Sequence, residues 1–133
     1  MPISNKGGVD KRPRADLKGV RVLVVEDHWH VANALKLLFE AEGMEVSGPA
    51  ASSADALRLA AEQKPDLAVV DINLGREMAY GLIDNLHDQG VRIVVVSGYA
   101  VLSPRLTGKV DAILQKPFNG PELLEALRRT LSL

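Results

Sequence analysis

The chain has 133 residues, no cysteine, a net charge of −1 and 47% apolar residues. One ordinary domain with a real core fits that length and composition. The near-neutral charge gives no general reason to expect a nucleic-acid partner, and without cysteine neither disulfides nor thiolate metal sites can form. No apolar run approaches the ~18 residues a membrane helix needs, and the first residues lack the apolar core of a signal peptide. The expectation is therefore a cytoplasmic protein without a membrane partner.

Residues 1–18, MPISNKGGVDKRPRADLK, are rich in Gly, Pro and charge and carry no sustained apolar period. They read as a flexible tail, with the folded domain spanning 19–133. Lys6, Lys11, Arg12, Arg14 and Lys18 lie in this tail, but no aromatic or folded motif accompanies them, so a solvated tail is favoured over a DNA-binding arm.

From Val20 the chain alternates strand and helix. Val20 to Val25 is a short β-branched run of the kind buried on both faces of a parallel sheet. Val31, Ala34, Leu35, Leu38 and Phe39 share one helical face, and Gly43 ends that helix. Met44 to Ser47 reads as a second strand. Ser52, with Asp55 three residues on, caps a helix carrying Leu57, Ala60 and Ala61. Leu67 to Val70 forms the third strand. Residues 78–88 read as a helix with Leu82, Ile83 and Leu86 inward and Gly90 beyond its end. Val91 to Val96 is the fourth strand. A short helix follows, weakened by Pro104. Ala112 to Leu114 is the fifth strand. Asn119 caps the last helix, with Pro121 in its first turn and an apolar stripe of Leu123, Leu124, Leu127 and Leu131.

Strands separated by helices run parallel with right-handed crossovers, which predicts an α/β three-layer (βα)5 sandwich. A parallel five-stranded sheet of the flavodoxin-like order 2-1-3-4-5 fits, with ligands bound outside the carboxyl ends of the strands. The residues closing the strands on that rim are Glu26-Asp27, Asp71-Ile72-Asn73, Ser97-Gly98-Tyr99 and Lys116-Pro117-Phe118. Clustered carboxylates repel one another and need a hard divalent cation or shared protons. Mg²⁺ takes oxygen ligands, and a carboxylate nucleophile can form an aspartyl phosphate. Lys116 suits the charge on a transferring phosphoryl group, and Ser97 can donate a hydrogen bond to it.

VLVVED, LAVVDINLG, VVVSGYA and LQKPF, in that order along residues 20–131, resemble the receiver domain of bacterial two-component response regulators. The resemblance implies that Asp71 is the phosphoacceptor. It implies that Asp27, Asp71 and the backbone carbonyl of Asn73 hold Mg²⁺, with Glu26 acting through water. Ser97 and Lys116 would bind the phosphoryl oxygens, and Lys116–Pro117 would be cis. The implied donor is a sensor histidine kinase or a histidine phosphotransfer protein. The output is a switch in protein contacts, or service as a phosphate relay or sink. The domain assists its own phosphorylation and dephosphorylation rather than turning over a substrate as an enzyme. DINLG, SGY and LQKPF further resemble small alphaproteobacterial receivers paired with HWE-type sensor kinases. Because the sequence stops at Leu133, a stand-alone receiver is the expectation.

One departure stands out. The position three before the lysine, aromatic in most receivers, holds Ile113. Two roles are open to Tyr99: it takes over part of the aromatic switch, or it covers the site edge.

Other residues have plainer readings. Asp66, Asp84, Asp88 and Asp111 read as solvated surface charges. His28 and His30 flank Trp29, and His-x-His can bind a transition metal, but zinc sites use three or four protein ligands and no third is evident. Trp29 reads as a loop residue packing near the site. Two alternatives to a working receiver compete. One is a degenerate, phosphorylation-independent binding module. The other is a haloacid-dehalogenase-like phosphatase, disfavoured because Asn73 stands where that family has a second, proton-donating Asp.

Overall fold

The computed structural model describes residues 16–99 and 103–133. The elements are β1 (Arg21–Val25), α1 (Trp29–Ala41), β2 (Glu45–Ala50), α2 (Ser53–Gln63), β3 (Leu67–Asp71), β4 (Asn73–Leu74) and β5 (Glu77–Met78). They continue with α3 (Tyr80–Asp88), β6 (Arg92–Ser97), a single 3₁₀ turn (Pro104–Leu106), β7 (Ala112–Gln115) and α4 (Gly120–Thr130). The main sheet has five strands in the order β2-β1-β3-β6-β7, all paired in parallel. This is the expected flavodoxin-like order, with the short β4–β5 ribbon inserted after the third strand.

Strand side chains alternate between faces, and both faces are buried. Leu23, Val25, Ala68, Val70, Ile93 and Val95 pack with Ala56 and Ala60 of α2 and with Leu82, Ile83 and Leu86 of α3. Val22, Val24, Leu67, Val69, Val94 and Val96 pack with Leu35 and Phe39 of α1 and with Leu123, Leu124 and Leu127 of α4. Leu17 joins this second cluster at 2% exposure. The expected tail thus meets the core through Leu17, while residues 1–15 lie outside the described residues.

Local chemistry sets the element ends. Ser52 accepts from the Asp55 N–H at 3.2 Å. Asn119 and Glu122 form a reciprocal capping box, with Pro121 in the first turn of α4. Gly43 ends α1 at φ +81°. Four expectations shift. The second strand runs on to Ala50. Met78 pairs with Asn73 in the ribbon, so α3 starts at Tyr80 and not at residue 78. The described part of the weak helix is the one 3₁₀ turn, with Pro104 at its start; Ala100 to Leu102 lie outside the described residues. On α1, Leu35 and Phe39 face the core with Ala32. Leu38 packs half-buried against the same core, while Val31 and Ala34 are exposed and line, with Leu35 and Leu38, an apolar groove of about 520 Å³ against Pro117 and Phe118.

Candidate functional site

Four strand ends build the site. Glu26 follows β1, and its N–H is held by the Ala50 carbonyl at 2.9 Å. Asp71 closes β3 and lies opposite Val96, one residue before Ser97. Ser97 closes β6, and its carbonyl accepts the Lys116 N–H at 2.7 Å, which sets the lysine beside β6. Residues scattered over ninety positions of sequence therefore meet because the sheet order places β1, β3, β6 and β7 side by side.

The Lys116 ammonium donates to Asp71 Oδ2 at 2.9 Å and stands 3.6 Å from Glu26 Oε1. Asp71 Oδ1 accepts the Asn73 N–H at 3.0 Å. Glu26 Oε2 accepts the His28 N–H at 3.1 Å and lies 3.2 Å from His28 Nδ1. The side chains of Glu26 and Asp71 are 1% and 5% exposed, and that of Lys116 is 30% exposed. Burial, reinforced by the Asp71 charge, pushes the Glu26 carboxyl above its usual range, while the His28 N–H and Lys116 pull the other way. Burial pulls the Lys116 ammonium down, but its hydrogen bond and charge attraction to Asp71, and the attraction to Glu26, outweigh that and raise it.

Donor atoms of Glu26, Asp27, His28 and Asp71 all lie within 4.8 Å of one another. Glu26 Oε1 and Asp27 Oδ1 are buried and have no hydrogen-bond partner. Buried carboxylate oxygens left in that condition are costly, and a divalent cation would satisfy both. The cluster opens into a cleft of about 470 Å³ lined by Asp27, His28, Asp71, Asn73, Gly75, Gly98, Tyr99 and Lys116.

The structure brings together Glu26, Asp27, Asp71, Asn73 and Lys116, as the strand-end argument expected. Ser97 is adjacent but fully buried, and its hydroxyl accepts the Tyr99 N–H at 2.9 Å. The Lys116–Pro117 peptide is cis. Ile113 is 53% exposed on β7, and Tyr99 is similarly exposed at the cleft edge.

Several sequence readings change. His28 and His30 do not converge: His28 lines the acidic cleft and His30 the apolar groove, because residues two apart at a helix start project to opposite sides. Trp29 begins α1 and is 70% exposed, with its ring edge-on to His30. Asp66 and Asp111 are not merely solvated. Each carboxylate accepts a backbone N–H at the start of a neighbouring strand, from Arg21 at 2.9 Å and from Ile93 at 2.8 Å. Asp84 is ion-paired to Lys109 at 2.6 Å. That hydrogen bond, ahead of the nearby positive charges, holds its carboxyl below the usual range. Gly75 was missed as a site residue. It has φ +66°, and a Cβ there would sit 3.3 Å from Asp27 Oδ2. A glycine soon after the Asp71 strand end was the available signal.

Comparison with known proteins agrees with this geometry. Residues 22–128 match the response regulator receiver domain family. The chain belongs to that family, a class of signalling domain rather than of enzymes in the ordinary sense. A response regulator receiver domain protein (CheY-like) from Methanospirillum hungatei JF-1 shares the fold at a TM-score of 0.80. It is 30% identical, with 86% of this chain and 95% of that one covered. A response regulator protein from Burkholderia pseudomallei, solved with a phosphorylated aspartic acid, calcium ion and citrate, is 31% identical at a TM-score of 0.76. There 85% of this chain and 69% of that one are covered. The transcriptional regulatory protein PrrA of Mycobacterium tuberculosis is 34% identical over 116 residues, 84% of this chain and 49% of that protein. The chain spans about half the length of the curated relatives it matches. Family membership removes the haloacid-dehalogenase alternative. Among the described residues no helix is long and apolar enough to cross a membrane.

Proposed function

We propose that this receiver accepts a phosphoryl group on Asp71 from the phosphohistidine of a sensor histidine kinase or histidine phosphotransfer protein, with Mg²⁺ in the acidic pocket. The observation that carries the reading is the Asp71 carboxylate held 2.9 Å from the Lys116 ammonium, beside buried Glu26 and Asp27 oxygens that make no hydrogen bond. Asp27, Asp71 and the Asn73 carbonyl would hold the ion, with Glu26 acting through water. Bound there, Mg²⁺ supplies positive charge that lets an anionic phosphoryl group approach an anionic nucleophile.

The protein's own groups divide the remaining work. An oxygen of Asp71 attacks phosphorus; the new O–P bond forms as the P–N bond to the donor imidazole breaks, and the imidazole leaves with the electron pair. Lys116 is already seated on Asp71 and neutralises charge on the phosphoryl oxygens. Ser97, one residue past the β3–β6 pairing, supplies a hydroxyl to the same oxygens. Tyr99 and Ser103 to Lys109 follow Ser97, and α4 follows Lys116, so the segment carrying the 3₁₀ turn, with β7 and α4, is the surface whose contacts phosphorylation switches.

Incubation with acetyl phosphate and Mg²⁺, read by intact mass, tests this. The wild type should gain one phosphoryl group and Asp71→Asn none. Label on Asp71→Asn would place the nucleophile elsewhere. No label on the wild type would favour the phosphorylation-independent binding module.

A further inference from the structure

Beyond its three carboxylates, the acidic pocket contains a donor of a different kind. We propose that His28 is a metal ligand of this pocket and tunes it toward late first-row divalent ions such as Ni²⁺ and Zn²⁺ over Mg²⁺. The inference rests on the metal pocket proposed above, and adds a nitrogen ligand that the phosphoryl chemistry does not use.

Geometry comes first. His28 Nδ1 lies 3.2 Å from Glu26 Oε2 and 3.5 Å from Asp27 Oδ1. Atoms bound about 2.1 Å from one octahedral ion stand about 3.0 Å apart along an edge and about 4.2 Å apart across it. The His28–Asp27 spacing lies between those two values, and the donor atoms of the pocket gather within 4.8 Å of one another. The buried Oε1 of Glu26, which makes no hydrogen bond and has only the Lys116 ammonium 3.6 Å away, also points to a cation here. The His28 side chain is 71% exposed, so its ring can turn onto an ion without unpacking a core. His30 lines the apolar groove and contributes nothing to the cluster.

Chemistry then sets the preference. Mg²⁺ takes oxygen ligands and gives up its waters reluctantly. Imidazole suits zinc, copper, iron and nickel. An imidazole beside three carboxylates therefore adds affinity for a late transition ion and little for Mg²⁺. The competing role for the same atom is purely structural: Nδ1–H donates to Glu26 and steadies it.

Tag-free protein should be titrated with Mg²⁺ and with Ni²⁺ at one fixed pH, and the Ni²⁺-loaded protein examined by X-ray absorption. Imidazole scattering from the ion is expected in the wild type and its loss in His28→Ala. His28→Ala should weaken Ni²⁺ binding about ten- to a hundred-fold and leave Mg²⁺ affinity within about twofold. His30→Ala, in the neighbouring turn, should change neither. The proposal is overturned if the wild type shows no imidazole scattering, if His28→Ala leaves the Ni²⁺/Mg²⁺ ratio unchanged, or if His30→Ala matches its effect. Asp27→Asn separates the two readings. It should weaken both ions; if it changes neither, the ion sits elsewhere and the acidic-pocket reading falls too. If it weakens both while His28→Ala changes nothing, only the role of His28 fails.

Discussion

Glu26→Gln should make the metal-free protein more stable while weakening its grip on Mg²⁺. The side chain is 1% exposed and lies within 4.8 Å of two further carboxylates. At an effective dielectric of about 20, unit charges that far apart interact by roughly 3 kcal/mol, and the attraction to Lys116 at 3.6 Å is roughly 5 kcal/mol. Exposure of Lys116 discounts the attraction. Two repulsions against one weakened attraction leave a net penalty on the order of 1–3 kcal/mol, to which the burial of a charge adds. Glutamine keeps the shape, and its carbonyl can still accept the His28 N–H. Lys116 keeps Asp71 as its partner. For a domain of this size, 1 kcal/mol corresponds to a Tm rise of about 3–5 °C. The pH dependence follows the same logic. The folded Glu26 carboxyl is raised above its ordinary 4.5, so its contribution is fully present below that value and lost as pH rises through the folded one. The variant should be flat in that window. Thermal melts across pH, with and without Mg²⁺, check both statements. A lower Tm for the metal-free variant, or an equal Mg²⁺-induced rise in both proteins, would refute the account of the pocket as a strained carboxylate cluster.

Three further predictions follow from particular contacts. Leu17→Ala should cost about 2–5 kcal/mol in urea unfolding, because Leu17 is a fully packed core residue; a negligible loss would show that the core begins after residue 18. Gly75→Ala should lower stability by about 1 kcal/mol or more through its positive φ and weaken Mg²⁺ binding by crowding Asp27, with unaltered calorimetric Mg²⁺ affinity as the contrary result. In Lys109→Ala the Asp84 carboxyl should titrate back near the ordinary range, as read by carbon NMR. The stabilisation from this depressed carboxyl is present above the ordinary range and lost as pH falls through the folded value, so an unmoved midpoint would count against the pair.

What could be read in the sequence, and what could not, follows from range. The three central strands β1, β3 and β6 carry continuous apolar runs, and runs buried on both faces are visible residue by residue. Strand order then located Glu26, Asp27, Asp71 and Lys116 on one rim, because an α/β sheet puts its chemistry at the carboxyl ends. The β4–β5 ribbon stayed hidden because strands of two residues have no period to detect. Leu17 was hidden by its polar neighbours, since one buried residue makes no pattern. Asp66 and Asp111 look like surface charge until the strand starts they cap are brought alongside, 45 and 18 residues away in sequence. His28 was weighed against His30, its neighbour in sequence. Its partners are instead Glu26 and Asp27, which precede it immediately, and Asp71, which only the fold brings near.

On the proposed reading, the pocket is prepared unequally for its substrate. Lys116 already stands on the Asp71 carboxylate, drawn there by charge, so its part needs little rearrangement. Ser97 is at hand: its fully buried hydroxyl accepts the Tyr99 N–H and can still donate its own proton. Donating that O–H to a phosphoryl oxygen adds a charge-assisted hydrogen bond, and drawing the oxygen toward the phosphoryl group strains the bond it accepts from Tyr99. A shift of Ser97 is passed through that bond to the Tyr99 backbone at the edge of the cleft, next to the stretch that leads to the single 3₁₀ turn. That turn is fastened by Lys109 and Arg105 to Asp84 and by Arg105 stacked 4.7 Å above Tyr80. These are part-exposed ionic and cation–π contacts, screened by solvent and individually weak. The pull at Ser97 therefore acts on a weakly fastened segment, and neither side needs the ring that Ile113 lacks.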